Sequence, residues 1–127
     1  MVIIDAPCSS IGTIRKHPEI FFKSKEPDFA TLNELQKNLL QKSSKLIKNK
    51  GKLIYMVCSF FYSETIEIIE NFLKNNQNFQ LEKYKPNSEL SNVKHLISEE
   101  GYFLTPPTSY KSFNIDGFFS AQLIKND

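Results

Sequence analysis

Two stretches of this sequence share one form, and together they limit what the chain can fold into. Val2-Ile3-Ile4 runs without a polar break into Asp5-Ala6-Pro7-Cys8-Ser9, and Leu53-Ile54-Tyr55-Met56-Val57 runs into Cys58-Ser59. Short unbroken apolar runs of this kind are expected of strands buried on both faces. The chain has only two cysteines, and each follows a strand candidate.

Between the two runs Leu32, Leu35, Leu39, Leu40, Leu46 and Ile47 recur at three-to-four spacing, with Lys37, Lys42, Lys45 and Lys48 largely elsewhere. That spacing predicts a helix with its apolar stripe against a sheet. Thr31-Leu32-Asn33-Glu34 reads as a capping box at its start, and Gly51 as its stop. Strand, helix and strand in this order predict a right-handed parallel crossover. Neighbouring parallel strands end on one edge, so Cys8 and Cys58 are expected to meet at the carboxyl edge of the sheet, where open α/β sheets bind ligands.

From Ser9 to Phe29 the prolines, Gly12 and the lack of a period predict a long loop with one turn of helix, carrying Arg15, Lys16 and His17. This basic run suits either a solvated surface or contact with a phosphate backbone. Ser63 is the expected cap of a second helix, with Glu64 in its first turn and Ile66, Ile69 and Leu73, beside Ile68 and Phe72, on its buried face. Phe60, Phe61 and Tyr62 are more often core than a base-stacking cluster. Phe79 to Lys85 and Phe118 to Ile124 are expected to pair as antiparallel strands. A loop is expected from Pro86 to Ser98, with a short helix around Leu90 to Leu96, then a short strand from Glu100 to Leu104. Asp116-Gly117 is a turn signal that competes with a role in a site.

Composition sets further bounds. A length of 127 residues, 40% of them hydrophobic, suffices for one small domain, and a net charge of +2 does not by itself point to nucleic acid. Two cysteines without a secretory signal favour reduced thiols and a cytoplasmic location. No apolar run approaches the roughly 18 residues of a membrane span. His17 and His95 lack the partners a metal site needs, and the absence of a C-x-x-C weighs against a redox protein.

Asp-Ala-Pro-Cys-Ser, the Arg15-Lys16-His17-Pro18 segment, the Leu-Gln helix, Gly-x-Leu-x-Tyr, Cys58-Ser59 and a late Asp-Gly-Phe-Phe from Asp116 to Phe119 stand here in the order found in the Sun/RsmB-type RNA cytosine-5 methyltransferases, which the chain resembles over nearly its whole length. The resemblance implies an α/β, partial Rossmann-like methyltransferase fold, with two parallel strands and helices plus a carboxyl-terminal antiparallel strand pair. It implies S-adenosylmethionine as methyl donor and RNA, ribosomal by expectation, as substrate.

It also assigns roles. Cys58 would be the nucleophile, Cys8 would assist release of the methylated product, and Asp5 would lie between donor and target base. Arg15, Lys16 and His17 would face the RNA. A helix start after Cys58 would lend its thiolate positive potential. The family's downstream Glu-Asn pair appears as Glu64-Thr65, and Ser10-Ile11 precede Gly12 where the family has glycine sooner.

No glycine-rich donor-binding loop occurs in the chain. Residues 1–127 are therefore expected to be the carboxyl-terminal half of a catalytic domain, without its donor-binding half and inactive alone. The first strand would be left with an unpaired edge, open to a separate amino-terminal half or to self-association. A truncated, non-catalytic remnant or RNA-binding assembly module is the alternative.

Overall fold

The computed structural model describes residues 1–23, 25–85, 91–110 and 113–127. Val2–Asp5 (β1) and Lys52–Val57 (β2) pair in parallel, from Val2 opposite Leu53 to Asp5 opposite Met56. The crossover between them carries the helix Phe29–Ser44 (α1). The helix Ile66–Asn75 (α2) and the short strand Phe79–Leu81 (β3) follow β2. Next come Phe103–Thr105 (β4), a hairpin of Thr108–Tyr110 (β5) and Phe113–Ile115 (β6), and the long strand Phe118–Lys125 (β7).

The main sheet has the order β1-β2-β7-β3, with β4 also paired to β7. One edge of β7 lies antiparallel to β2, with Lys52 opposite Ile124 and Val57 opposite Phe119. Its other edge is shared end to end: β3 pairs with residues 123–125 and β4 with residues 118–120. The parallel pair and the antiparallel pairing of the Phe79 and Phe118 strands expected from the sequence are both present. This is a partial Rossmann-like α/β fold.

Strand side chains alternate between faces. Ile4, Leu53, Tyr55, Val57, Phe119, Ala121 and Leu123 share one core with Leu40, Ile68, Ile69 and Phe72 from the two helices. The opposite face differs from the expectation of strands buried on both sides. There Ile3 is 54% exposed, Ile54 and Met56 are only half-buried, and Lys52, Glu82 and Gln122 form a polar network. Both helices pack on the same side, so the apolar runs mark two strands of which one face is left open.

Both helix starts also differ from expectation. Asp28, not Thr31, caps α1: its carboxylate accepts from the Thr31 amide at 3.0 Å and the Thr31 hydroxyl at 2.7 Å. A carboxylate takes both donors at once, which puts Thr31 inside the first turn. The buried row of α1 is Gln36, Leu40 and Ser44, while Leu35 is 43% exposed and Leu46, beyond the end of the helix, 72%. Ser63 caps nothing. It lies in a 3-10 turn, Tyr62–Glu64, and α2 starts after Thr65, whose hydroxyl donates to the Phe61 carbonyl at 2.8 Å.

Residues 9–28 hold two 3-10 turns, Ile11–Thr13 and Pro18–Phe22, in place of one helical turn. The loop expected from Pro86 falls partly on residues 86–90, outside the described residues; Ser91–Leu96 form a 3-10 turn. Among the described residues no helix is long and apolar enough to cross a membrane.

Candidate active site

Beyond β1 the ladder continues one residue, with the Ala6 amide donating to the Met56 carbonyl at 2.9 Å. The two chains then turn away side by side, and the sulfurs of Cys8 and Cys58 lie 3.4 Å apart. Both side chains are half-buried and free of any disulfide. Burial, reinforced by the Cys58 sulfur and opposed by the Ser10 amide, pushes the Cys8 thiol up to about 12. Cys8 therefore keeps its proton at neutral pH, and either sulfur can be the donor in the contact.

The expected helix start behind Cys58 is not where the thiol would feel it. α2 begins at Ile66, after the 3-10 turn, and a helix dipole acts within about its first turn.

Glu64 lies beneath the two cysteine turns. Its side chain is fully buried, and one carboxylate oxygen accepts from the Ser9 hydroxyl at 2.6 Å and the Ser59 hydroxyl at 2.5 Å. The other accepts from the Ser9 amide at 2.8 Å and from Gln36 Nε2 at 3.3 Å. Gln36 Nε2 also donates to the Pro7 carbonyl at 2.9 Å, and the Tyr55 hydroxyl donates to the backbone carbonyl of Glu64 at 2.9 Å. Sequence reading took Glu64 for a first-turn acid and met Gln36 only as part of the Leu-Gln helix, with no role of its own. The signal for Glu64 was its place six residues after Cys58, in the position of the Glu-Asn pair.

A second set of contacts closes the turn from above. The Gly12 amide donates to the Cys58 carbonyl at 3.0 Å, and the Gly117 amide donates to the Gly12 carbonyl at 2.7 Å. Asp116-Gly117 is thus more than a turn: it ties the loop before β7 to the cysteine loops. Ser10 holds φ 60°, the left-handed region that favours glycine, in the stretch where the resembling family has its earlier glycine.

The basic segment is only partly available to a ligand. Arg15 and Lys16 both bind the Asp116 carboxylate, at 3.0 and 2.8 Å, and these contacts, Lys16 foremost, hold Asp116 below its usual range. His17 sits apart, exposed and 3.0 Å from Glu19. Asp5 ends β1 with its side chain exposed. Phe60 is half-buried, Phe61 is 38% and Tyr62 56% exposed, and none of the three belongs to the hydrophobic core, against the core expectation. Phe61 meets Phe29 edge-on at 5.5 Å, where α1 passes the cysteine loops. Among the described residues no cluster of His, Cys, Asp and Glu forms a metal site.

A family model described as 16S rRNA methyltransferase RsmB/F matches residues 1–124. The chain belongs to the RsmB/F family. It is 32% identical over 124 residues to the ribosomal RNA small subunit methyltransferase B of Shewanella oneidensis, covering 98% of this chain and 26% of that protein. The probable ribosomal RNA small subunit methyltransferase B of Bacillus subtilis is 30% identical over 115 residues, 81% of this chain and 26% of that protein. Among solved structures, PH0851 superposes with a TM-score of 0.79 at 34% identity, over 97% of this chain and 26% of that one. NSun6 from Pyrococcus horikoshii with SFG has the same fold, with a TM-score of 0.69 at 19% identity over 98% of this chain and 29% of that one. This RsmB/F-family chain spans about a quarter of the length of the curated relatives it matches.

Proposed function

We propose that the chain is the thiol-bearing part of an RNA (cytosine-5-)-methyltransferase that acts on ribosomal RNA in the cytoplasm, with S-adenosylmethionine as methyl donor. The observation that carries this reading is the 3.4 Å contact of Cys8 and Cys58, at the carboxyl ends of two parallel strands. Carbon 5 of cytosine is a weak nucleophile. Addition of the Cys58 thiolate to carbon 6 forms a carbon–sulfur bond and pushes the ring electrons toward carbon 5, which gives an enamine.

When bound, S-adenosylmethionine supplies an electrophilic methyl group on a sulfonium. Once carbon 5 is methylated its proton must pass to a base or to water; the electrons of that bond restore the ring double bond while the carbon–sulfur bond breaks and Cys58 leaves as thiolate. Cys8 is a protonated thiol in contact with the departing sulfur. Its hydrogen bond stabilises the leaving thiolate and so favours product release. The target atom is inaccessible in a stacked helix, which makes single-stranded or splayed-out RNA the substrate form.

The Asp5 carboxylate has no hydrogen bond or ion pair among the described residues and stands exposed at the end of β1. An unengaged carboxylate there fits one contact with the donor or the base. It does not enclose either. The remainder of the donor site comes, in this reading, from an amino-terminal half outside these residues, and that half covers the open sheet face and the free edge of β1. Arg15, Lys16 and His17 face the RNA.

Co-expression with the segment of the Bacillus subtilis relative that this chain does not match tests the assignment. The pair is expected to move labelled methyl groups from S-adenosylmethionine to ribosomal RNA. RNA containing 5-fluorocytosine should give an adduct stable to denaturation, because fluorine cannot leave as a proton does. Cys58→Ser should lose the adduct, and Cys8→Ser should accumulate it even on ordinary RNA. Absence of both transfer and adduct from a well-folded pair would overturn the reading.

A further inference from the structure

Each cysteine is followed by a serine, and both serines are fastened to the same buried group. Ser9 gives Glu64 its amide and its hydroxyl, at 2.8 and 2.6 Å; Ser59 gives its hydroxyl at 2.5 Å to the oxygen that takes the Ser9 hydroxyl. The serine oxygens in turn accept from the next stretch of each loop, the Ile11 amide at 3.4 Å and the Phe61 amide at 3.2 Å. A carboxylate only accepts, so the direction of every bond in this network is fixed. Its own backbone is anchored from below by Tyr55 and its side chain from α1 by Gln36. No cation touches Glu64 among the described residues. Burying such a group is costly unless hydrogen bonds compensate it, and all of the donors it uses on the cysteine side belong to the residues next to the sulfurs.

We infer that Glu64 is a positioning residue: it couples the turn after Cys8 to the turn after Cys58 and so sets the distance between the two sulfurs. This deepens the reading of the thiols as a reacting pair and rests on it for its functional meaning, but the geometry is measurable without methyl transfer. If the carboxylate is removed, each serine loses its common partner, and the two loops no longer have a shared reference point.

The sulfur–sulfur distance is read by equilibrating the whole chain with oxidised and reduced glutathione. Cys8 and Cys58 lose two hydrogens and join, while one glutathione disulfide becomes two glutathione thiols. The ratio at equilibrium gives the effective concentration of one thiol at the other. Glu64→Leu and Ser59→Ala are each expected to lower it by about tenfold or more, as for loss of a hydrogen bond to a charged group. Glu64→Gln is expected to stay within about threefold of the native chain, because the amide still accepts from the Ser9 amide and can donate to both serine oxygens.

Thermal melting is followed in parallel. A merely structural carboxylate would lower the melting temperature and leave the effective concentration unchanged below it, which overturns the proposal. If Glu64→Leu fails to fold, Ser59→Ala, which strands no charge, decides alone: an unchanged effective concentration overturns the inference, and a fall with rescue in Glu64→Gln supports it. Loss of methyl transfer with native effective concentrations in all variants would count against Glu64 and leave the cysteine chemistry standing.

Discussion

Gly12 and Gly117 meet backbone to backbone. The amide of Gly117 donates to the carbonyl of Gly12 at 2.7 Å, and a β-carbon on Gly12 would lie 2.0 Å from the Gly117 carbonyl oxygen and 2.9 Å from that of Cys58. The two loops approach this closely because neither residue has a side chain, and the contact lies directly over the Cys58 peptide.

Gly12→Ala therefore cannot be absorbed by a flexible neighbour, since the atoms it meets are backbone. We expect it to destabilise the chain by about 1–3 kcal/mol, as other overpacking changes do. Urea unfolding followed by circular dichroism measures this. A change below about 0.5 kcal/mol, the range of ordinary surface substitutions, would mean the loops move apart without penalty.

Stability should fall steeply in alkali. Burial raises the Cys8 thiol from 9.0 to about 12, and burial also raises the Tyr55 hydroxyl from its ordinary value. A group whose folded value is raised holds its proton longer in the folded chain, so its contribution is intact below the unfolded value and is lost as pH climbs toward the folded one. The decline should start near pH 9 for Cys8 and gain a further component above pH 10 from Tyr55. Cys8→Ala should flatten the first part of the curve between pH 9 and 12, read as denaturation midpoints across that window.

Asp116→Asn should separate the two uses of Arg15 and Lys16. Both cations are held by one carboxylate, in a partly exposed site, where such pairs contribute about 0–1 kcal/mol. The stability change should be correspondingly small, whereas two released cations should tighten binding of a single-stranded RNA and steepen its salt dependence by about 0.7 per added phosphate contact. Fluorescence anisotropy over a salt series checks it. An unchanged slope would place the pair away from the phosphates.

The free edge of β1 makes a prediction about association. Ile3 is exposed within β1, which pairs only with β2 among the described residues, and apolar edges of this kind template strand addition. Sedimentation velocity should show concentration-dependent self-association of the chain, reduced by Ile3→Lys. A native chain that stays monomeric at all concentrations would count against it.

The parallel pair, the crossover and the meeting of the two cysteines could be read from the sequence because all three follow from apolar runs and short-range connectivity. Helix starts were less legible. Both Asp28 and Thr31 are good caps in composition, and only the position of α1 on the sheet decides between them. The hairpin of β5 and β6 went unread for want of a strong turn signal. Glu64 was hidden for a different reason. Its importance comes from Ser9 and Gln36, residues 55 and 28 positions away, and no local pattern records partners at that distance. Leu35 and Leu46 show the converse error, since helical spacing identifies an apolar stripe but not how far it is rotated toward the core.

The shared edge of β7 bears on how the chain is made. β2, β3 and β4 all hydrogen-bond to residues 118–125, so β3 and β4 gain their partner, and β2 its second one, only from a segment synthesised after all of them. Until the ribosome has released that segment, the two helices have only a two-stranded ribbon to rest on, and the glycine at 117 has not yet closed over the one at 12. The closure over the thiol pair is consequently a late step of folding: a nascent chain that stalls just short of residue 117 carries both cysteines and Glu64 but lacks the Gly117–Gly12 contact over their loops.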